Sequence, residues 1–254
     1  VQASIDKLGY VPSIAAQRMS GSRSYLILAI NDRDRTIADW RARDGRDWVD
    51  QMLLGGMLTA AERGYRMIFE LIDTHSDHVE RELGAAIAAL QPDGVIVTPP
   101  HSENPQITGL LAENGIPFAR IGSKEDGPGI AMTMGDELLA GKATDHLIEL
   151  GHMRIGFIAG PDEYSLAGWR TDGWREAMAN AELDCEDLLE QGDFGFESGL
   201  AAAQALLDRE NPPTAIIASS DQMALASLDV AKERGLDVPR DLSIVSFDNT
   251  PIVR

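Results

Sequence analysis

The side chains best suited to chemistry in this chain are its five histidines, and their spacing argues against a catalytic metal. His75, His78, His101, His146 and His152 do not form the His-Glu-x-x-His pattern that sets two ligands on one helix face. The single cysteine, Cys185, can build neither a disulfide framework nor a multi-cysteine metal site within one chain. It reads as an ordinary, partly buried residue of a reduced compartment. No Gly-x-Gly-x-x-Gly follows a strand, no phosphate-cradling P-loop is present, and no Gly-x-Ser-x-Gly nucleophile elbow occurs. The expectation is therefore no catalytic residue, no cofactor and no metal. The sequence does offer polar side chains directly after short apolar runs. Asp32 follows the run 25–30, and Thr98 closes the run 94–98. Small polar ligands of open α/β sheets bind at such carboxyl ends of strands.

The elements that would position these residues alternate regularly. Tyr25–Ile30 reads as a buried strand. Residues 46–63 read as a helix, with Val49, Met52, Leu53, Met57, Ala60 and Ala61 at helical spacing and Gly64 as its stop. A strand at 66–71 follows, then a helix with Val79, Leu83, Ile87 and Leu90 on one face. Next come a strand at 94–98, a helix at 105–114 and a strand at 118–121. The charged run Asp32–Arg33–Asp34–Arg35, with Trp40, Arg41, Arg43 and Asp44 beyond it, is unusual for a first loop and is read as a solvated loop, with a lid or a dimer rim as the alternatives. After Gly127–Pro128–Gly129 the alternation restarts. The second series has helices at 136–150, 171–181, 196–209 and 222–234, and strands at 154–158, 188–190, 215–218 and 243–247. In the first of these helices Leu139, Ala143, Leu147 and Leu150 are expected to face inward. Repeated βα units imply parallel sheets covered on both faces. The fold class is α/β: two doubly wound parallel-sheet lobes with a cleft between them. The expected domains are residues 1–24, 25–133 and 134–254.

Composition bounds the partners. The chain has 254 residues, 44% of them hydrophobic and only 6% aromatic, so its cores must be built from Ala, Leu, Ile, Val and Met. The net charge is -19, a surface that repels nucleic acid, whose affinity rests on neutralised phosphates. Residues 1–24 differ, with Lys7, Arg18 and Arg23 against Asp6. They read as the end of one short helix, stopped at Gly9, and a second brief one after Pro12. No leader or membrane-spanning run is seen, and a cytoplasmic location is expected. The chain starts at Val1 rather than Met and stops just past a strand, so further residues are expected at both ends.

Several stretches occur in an order that resembles one family. They are Leu8–Gly9–Tyr10–Val11–Pro12–Ser13 with Ala16 and Met19, and His146-Leu-Ile-Glu-Leu-Gly-His152-Met-Arg154. Gly160–Pro161, Gly173–Trp174–Arg175 and Gly192–Asp193–Phe194 follow. Pro213–Thr214–Ala215–Ile216, Asp221–Gln222–Met223–Ala224, Val238–Pro239–Arg240–Asp241 and Phe247–Asp248–Asn249–Thr250–Pro251 complete the series. Together they span essentially the whole chain, which is similar to the effector-binding core of the lactose/galactose-repressor (LacI/GalR) family. The resemblance implies a periplasmic-binding-protein-like body with most of the N-terminal DNA-binding domain and the C-terminal end missing. It implies a repressor that binds operator DNA as a homodimer and responds to a small sugar-like effector. The helices at 46–63 and 222–234 would form the dimer interface.

By the same resemblance the effector would meet Arg170, Phe194, Ser220 and Asp248, with Asp32 and Thr98 alongside. A guanidinium and a carboxylate suit a polyhydroxylated ligand. Tyr10, Ser13, Ala16, Gln17, Arg18 and Met19 would form the hinge helix on DNA, with Met19 as the apolar wedge that unstacks a minor-groove step. The chain departs from the family at three places. Ser220–Asp221 stands where Asn-Asp is usual, Gly122 where a cleft aspartate is usual, and Gly135–Asp136 where Asp-Asn or Asp-Asp opens a helix. These departures make the effector unreadable from sequence. The competing reading is a periplasmic-type sugar-binding protein, which shares the cleft but has no use for residues 1–24.

Overall fold

In the computed structural model Lys7, residues 23–42 and residues 47–253 are described. The hinge residues Tyr10, Ser13, Ala16, Gln17, Arg18 and Met19 lie outside the described residues. The described chain divides into two compact units. One holds residues up to Thr36 with Gln51–Ile121 and Glu125–Met132, and the other holds Ile37–Asp50, Gly122–Lys124 and the chain from Thr133 onward.

The first series of elements runs β1 (Leu26–Asp32), α1 (Arg33–Ala42), α2 (Asp47–Glu62), β2 (Arg66–Ile72), α3 (Val79–Leu90), β3 (Gly94–Val97), α4 (Pro105–Glu113), β4 (Phe118–Ile121) and β5 (Ile130–Met132). The five strands form one sheet in the order β2-β1-β3-β4-β5. Every pairing is parallel, with Ile27 opposite Gly94 and Val95 opposite Phe118. A strand buried on both faces needs an apolar run, and β1 (LILAIND) is apolar from Leu26 to Ile30 before it ends in the polar Asn31 and Asp32. Its Leu28 and Ile30 join Ile72, Val79, Leu83, Val95, Val97, Ile107, Leu111 and Phe118 in one core. Each such side chain contributes roughly 1.5–3 kcal/mol by leaving water. Helix α4 begins with Asn104 as N-cap, accepting a hydrogen bond from the Gln106 amide at 2.9 Å, and with Pro105 in the first turn.

The second series runs α5 (Asp136–Glu149), β6 (Ile155–Ala159), α6 (Ser165–Asn180), β7 (Leu189–Gln191), α7 (Phe196–Leu207), β8 (Ala215–Ala218), α8 (Asp221–Glu233) and β9 (Ser243–Ser246). Its four parallel strands lie in the order β7-β6-β8-β9. The period of two along each strand sends alternate residues to opposite faces. Ile155, Phe157, Ala159, Ala215 and Ile217 pack with Leu147 of α5 and Trp174 and Met178 of α6. Ile158, Ile216 and Ala218 pack with Ala202, Ala203 and Leu206 of α7 and Met223, Val230 and Ala231 of α8. Helices therefore cover both faces of this sheet, as in a doubly wound fold.

Four sequence expectations need correction. Residues 33–42 are helical, not a loop. The short strand β5 was not foreseen; its three residues are all exposed, so no burial pattern announces it. Helix α6 begins at Ser165, which places Arg170 inside the helix rather than before it. In α5 the buried residues are Asp136, Ala140, Thr144 and Leu147, while Leu139 is 45% and Leu150 63% exposed. The cause is the closeness of α6. A Cβ placed on Gly173 would come within 2.0 Å of the Glu137 carbonyl oxygen, so the two helices meet closely there through small residues, and Leu139 and Leu150 stay outside while Leu147 is buried.

Candidate functional site

In the second unit the polar groups gather at the carboxyl ends of β6, β8 and β9. Arg170 is 8% exposed and fully engaged along one edge. Its Nε donates to Asp136 Oδ1 at 2.8 Å and an Nη1 proton goes to the Ser219 carbonyl at 2.7 Å. Its guanidinium lies 4.5 Å from the centre of the Phe247 ring. The remaining Nη protons make no hydrogen bond among the described residues. The arginine is thus held in one pose by an acid, a carbonyl and a ring, with donors left over for a ligand.

Asp248 follows β9 on a left-handed backbone (φ 90°), with Asn249 at φ 53°. Such conformations persist only where the surroundings enforce them. Asp221, at the start of α8, does so. Its carboxylate accepts from Ser246 Oγ at 2.5 Å, Thr250 N at 2.6 Å and Thr250 Oγ1 at 2.7 Å, clamping the loop on both sides of Asp248. Asp248 reaches solvent, but partial loss of water around its carboxyl pushes its pKa up to about 6. Arg170 opposes that rise, and the carboxylates of Asp221 and Asp136 add to it.

Phe194 also has a left-handed backbone (φ 70°). Its ring meets Tyr164 edge-on at 5.7 Å. It lies over Gly160, where any Cβ would fall 2.1 Å from the ring. Ser220 caps α8 by accepting from the Met223 amide at 3.2 Å and donates to the Phe194 carbonyl at 2.9 Å. Both of its hydrogen-bonding functions are taken within the unit, so the structure uses it to fix Phe194.

The first unit has its own polar cluster. Asp32, 8% exposed, accepts from the Arg35 amide at 2.8 Å and from the Thr74 hydroxyl. Thr74 lies 3.2 Å from Nδ1 of the fully buried His101. Burial pulls the His101 pKa down, against the Asn31 carbonyl and the Asp32 charge. Thr98 is almost fully buried, and its hydroxyl donates to the Ile30 carbonyl at 2.8 Å and contacts Asn31 Oδ1. Sequence reasoning missed Thr74, His101 and the partnership of Asp136 with Arg170. None has a local spacing signal; each is brought in by a different strand or helix. Among the described residues no group of three or more His, Cys, Asp or Glu could hold a metal ion, and no helix is long and apolar enough to cross a membrane.

Two parallel sheets, each with ligand-suited side chains at its strand ends, define a periplasmic-binding-protein-like body. Residues 144–254 match the family model described as a periplasmic binding protein-like domain. The chain is 31% identical over 258 residues to the HTH-type transcriptional regulator CelR of Thermobifida fusca, covering 99% of this chain and 73% of the relative. It is equally 31% identical over 258 residues to the HTH-type transcriptional repressor CytR of Escherichia coli (strain K12), covering 100% of this chain and 72% of the relative. The solved transcriptional regulator CelR–cellobiose complex matches with a TM-score of 0.76 and 29% identity, over 98% of this chain and 72% of that one. The chain belongs to the lactose/galactose-repressor (LacI/GalR) family of transcriptional regulators.

Proposed function

We propose that the chain is the effector-binding core of a cytoplasmic repressor, not an enzyme, that a sugar or sugar derivative is its effector, and that the effector changes operator affinity. The observation that carries this reading is Arg170: a buried guanidinium, immobilised by Asp136 and Ser219, with N–H donors to spare beside the raised carboxyl of Asp248. Arg170 and Asp248 would fix hydroxyls of the ligand. Phe194 would pack on its apolar face, with Ser220 holding that ring. In the first unit Asp32 is retained as a proposed effector contact, whereas Thr98, 1% exposed with its hydroxyl on the Ile30 carbonyl, is proposed only to fix the end of its own strand. The cellobiose held by the CelR structure makes β-linked gluco-disaccharides the first ligands to try.

Operator binding is proposed for residues 1–24, with 25–133 and 134–254 as the two lobes. The protein is proposed to be a homodimer. Support comes from α2, which exposes Leu54, Met57 and Leu58 by 49%, 48% and 58%. The alternative of a periplasmic-type sugar-binding protein is disfavoured because the relatives that match nearly all of this chain are named transcription regulators. An effector can act only by binding one conformational state better than the other. The test is calorimetry of the complete regulator against a sugar panel, with and without operator DNA, followed by Asp248→Ala and Arg170→Ala on any hit. Loss of binding in both variants supports the site; unchanged affinity in both removes it. A hit that leaves operator affinity unchanged removes the switch.

A further inference from the structure

The charge arrangement around Arg170 narrows the class of effector, on the reading that Arg170 and Asp248 contact it. The cluster holds one guanidinium and three carboxylates. Asp136 neutralises Arg170 directly, through a 2.8 Å ion pair whose side chains are 10% and 5% exposed. The charge of Arg170 is therefore committed before any ligand arrives. Its side-on fork, the geometry that grips phosphate or carboxylate through two parallel N–H bonds, is already occupied at Nε by Asp136. The nearby cation Lys124 is engaged too, at 2.9 Å from Glu137 and 4.7 Å from the centre of the Trp169 ring. Asp221 and Asp248 add two further negative groups. The Asp221 oxygens are taken by Ser246 and Thr250, while the Asp248 carboxyl, which also meets the Asp221 backbone N–H, has lone pairs left to accept from a ligand. A ligand here meets acceptors that need hydroxyl protons, single N–H donors that suit hydroxyl oxygens, and a surplus of negative charge.

We infer that the effector is an uncharged, hydroxyl-rich molecule, and that Asp136 and Asp248 exclude its phosphorylated or carboxylated counterparts. Asp136 acts here without touching the ligand, by cancelling the cation an anion would seek. Like charges brought together in a partly desolvated site oppose binding strongly.

The experiment is calorimetry of the complete regulator with matched pairs: glucose and glucose 6-phosphate, ribose and ribose 5-phosphate, cellobiose and cellobiose 6'-phosphate. In any pair that binds, the neutral member is expected to bind at least about 100-fold more tightly. Asp136→Asn and Asp248→Asn are each expected to shrink that ratio by about tenfold or more, the first by freeing the Arg170 charge and the second by removing a repulsive one. Tighter binding of a phosphorylated member by the parent protein overturns the inference and leaves the effector site standing. A ratio unmoved in both variants also overturns it. Silence of every pair overturns the sugar-effector reading, and the inference falls with it.

Discussion

Asp248 combines a left-handed backbone, a crowd of negative neighbours and a carboxyl pKa raised from 3.8 to about 6. The sign of the consequence follows from linkage. A carboxyl whose pKa is higher in the folded chain favours folding when protonated. Its contribution is greatest below pH 4, falls as pH rises from about 4 to 6, and is a standing penalty above that. Asp248→Asn keeps a residue type that tolerates positive φ and removes the charge. The variant is expected to melt at a higher temperature than the parent at pH 7 and to converge with it below pH 4. Melting curves that run parallel across that range would show an unperturbed carboxyl. Arg170→Ala should act in the opposite direction. It leaves the Asp136 charge buried alone, at about 3–5 kcal/mol, and adding Asp136→Asn should recover much of that loss in urea titrations. Arg170, Phe194 and Asp248 could be nominated from sequence because a family pattern runs through them. The ion pair to Asp136 and the Asp32–Thr74–His101 chain could not, since no spacing along the sequence records which strand ends become neighbours.

At the scale of elements, the contact between α5 and α6 is the tightest constraint in the second unit. Gly173 sits where a methyl would strike the Glu137 carbonyl at 2.0 Å, while Gly141 faces the Gly173 carbonyl at an ordinary 3.5 Å. Gly173→Ala should therefore lower stability by about 1–3 kcal/mol or more, because backbone rather than a flexible side chain must move. Gly141→Ala, in the same interface, should change it little; equal effects in thermal melts would show that the helices can spread. The same contact explains a failure of periodicity. Leucines at 139, 147 and 150 mark an inward stripe on an isolated helix, but with a neighbour this close only Leu147 is buried, beside Ala140 and Thr144, while Leu139 and Leu150 are exposed. The buried strands were legible as apolar runs. The exposed β5 was not, and neither was α1, where charged residues hide a helix from a hydrophobic pattern.

For the whole molecule, a net charge of -19 bears directly on DNA. These 254 residues are expected to bind duplex DNA weakly or not at all in gel shifts at physiological salt, because the net charge of -19 outweighs the three cations of residues 1–24; tight, sequence-selective retention would overturn this expectation. The low aromatic content has a different use. Only four tryptophans are present. Trp174 is fully buried, stacked on Phe157 with its N–H on the Ile155 carbonyl, and so is shut off from solvent and ligand alike. Trp169 directly precedes Arg170 and lies beneath the Lys124 ammonium, a charge whose position sets the emission of the ring. The protein thereby carries its own optical gauge of the effector. Titration with a true effector should move the emission of Trp169 over a background from Trp40, Trp48 and the buried Trp174, and Trp169→Phe should remove that component while leaving the calorimetric heat of binding in place.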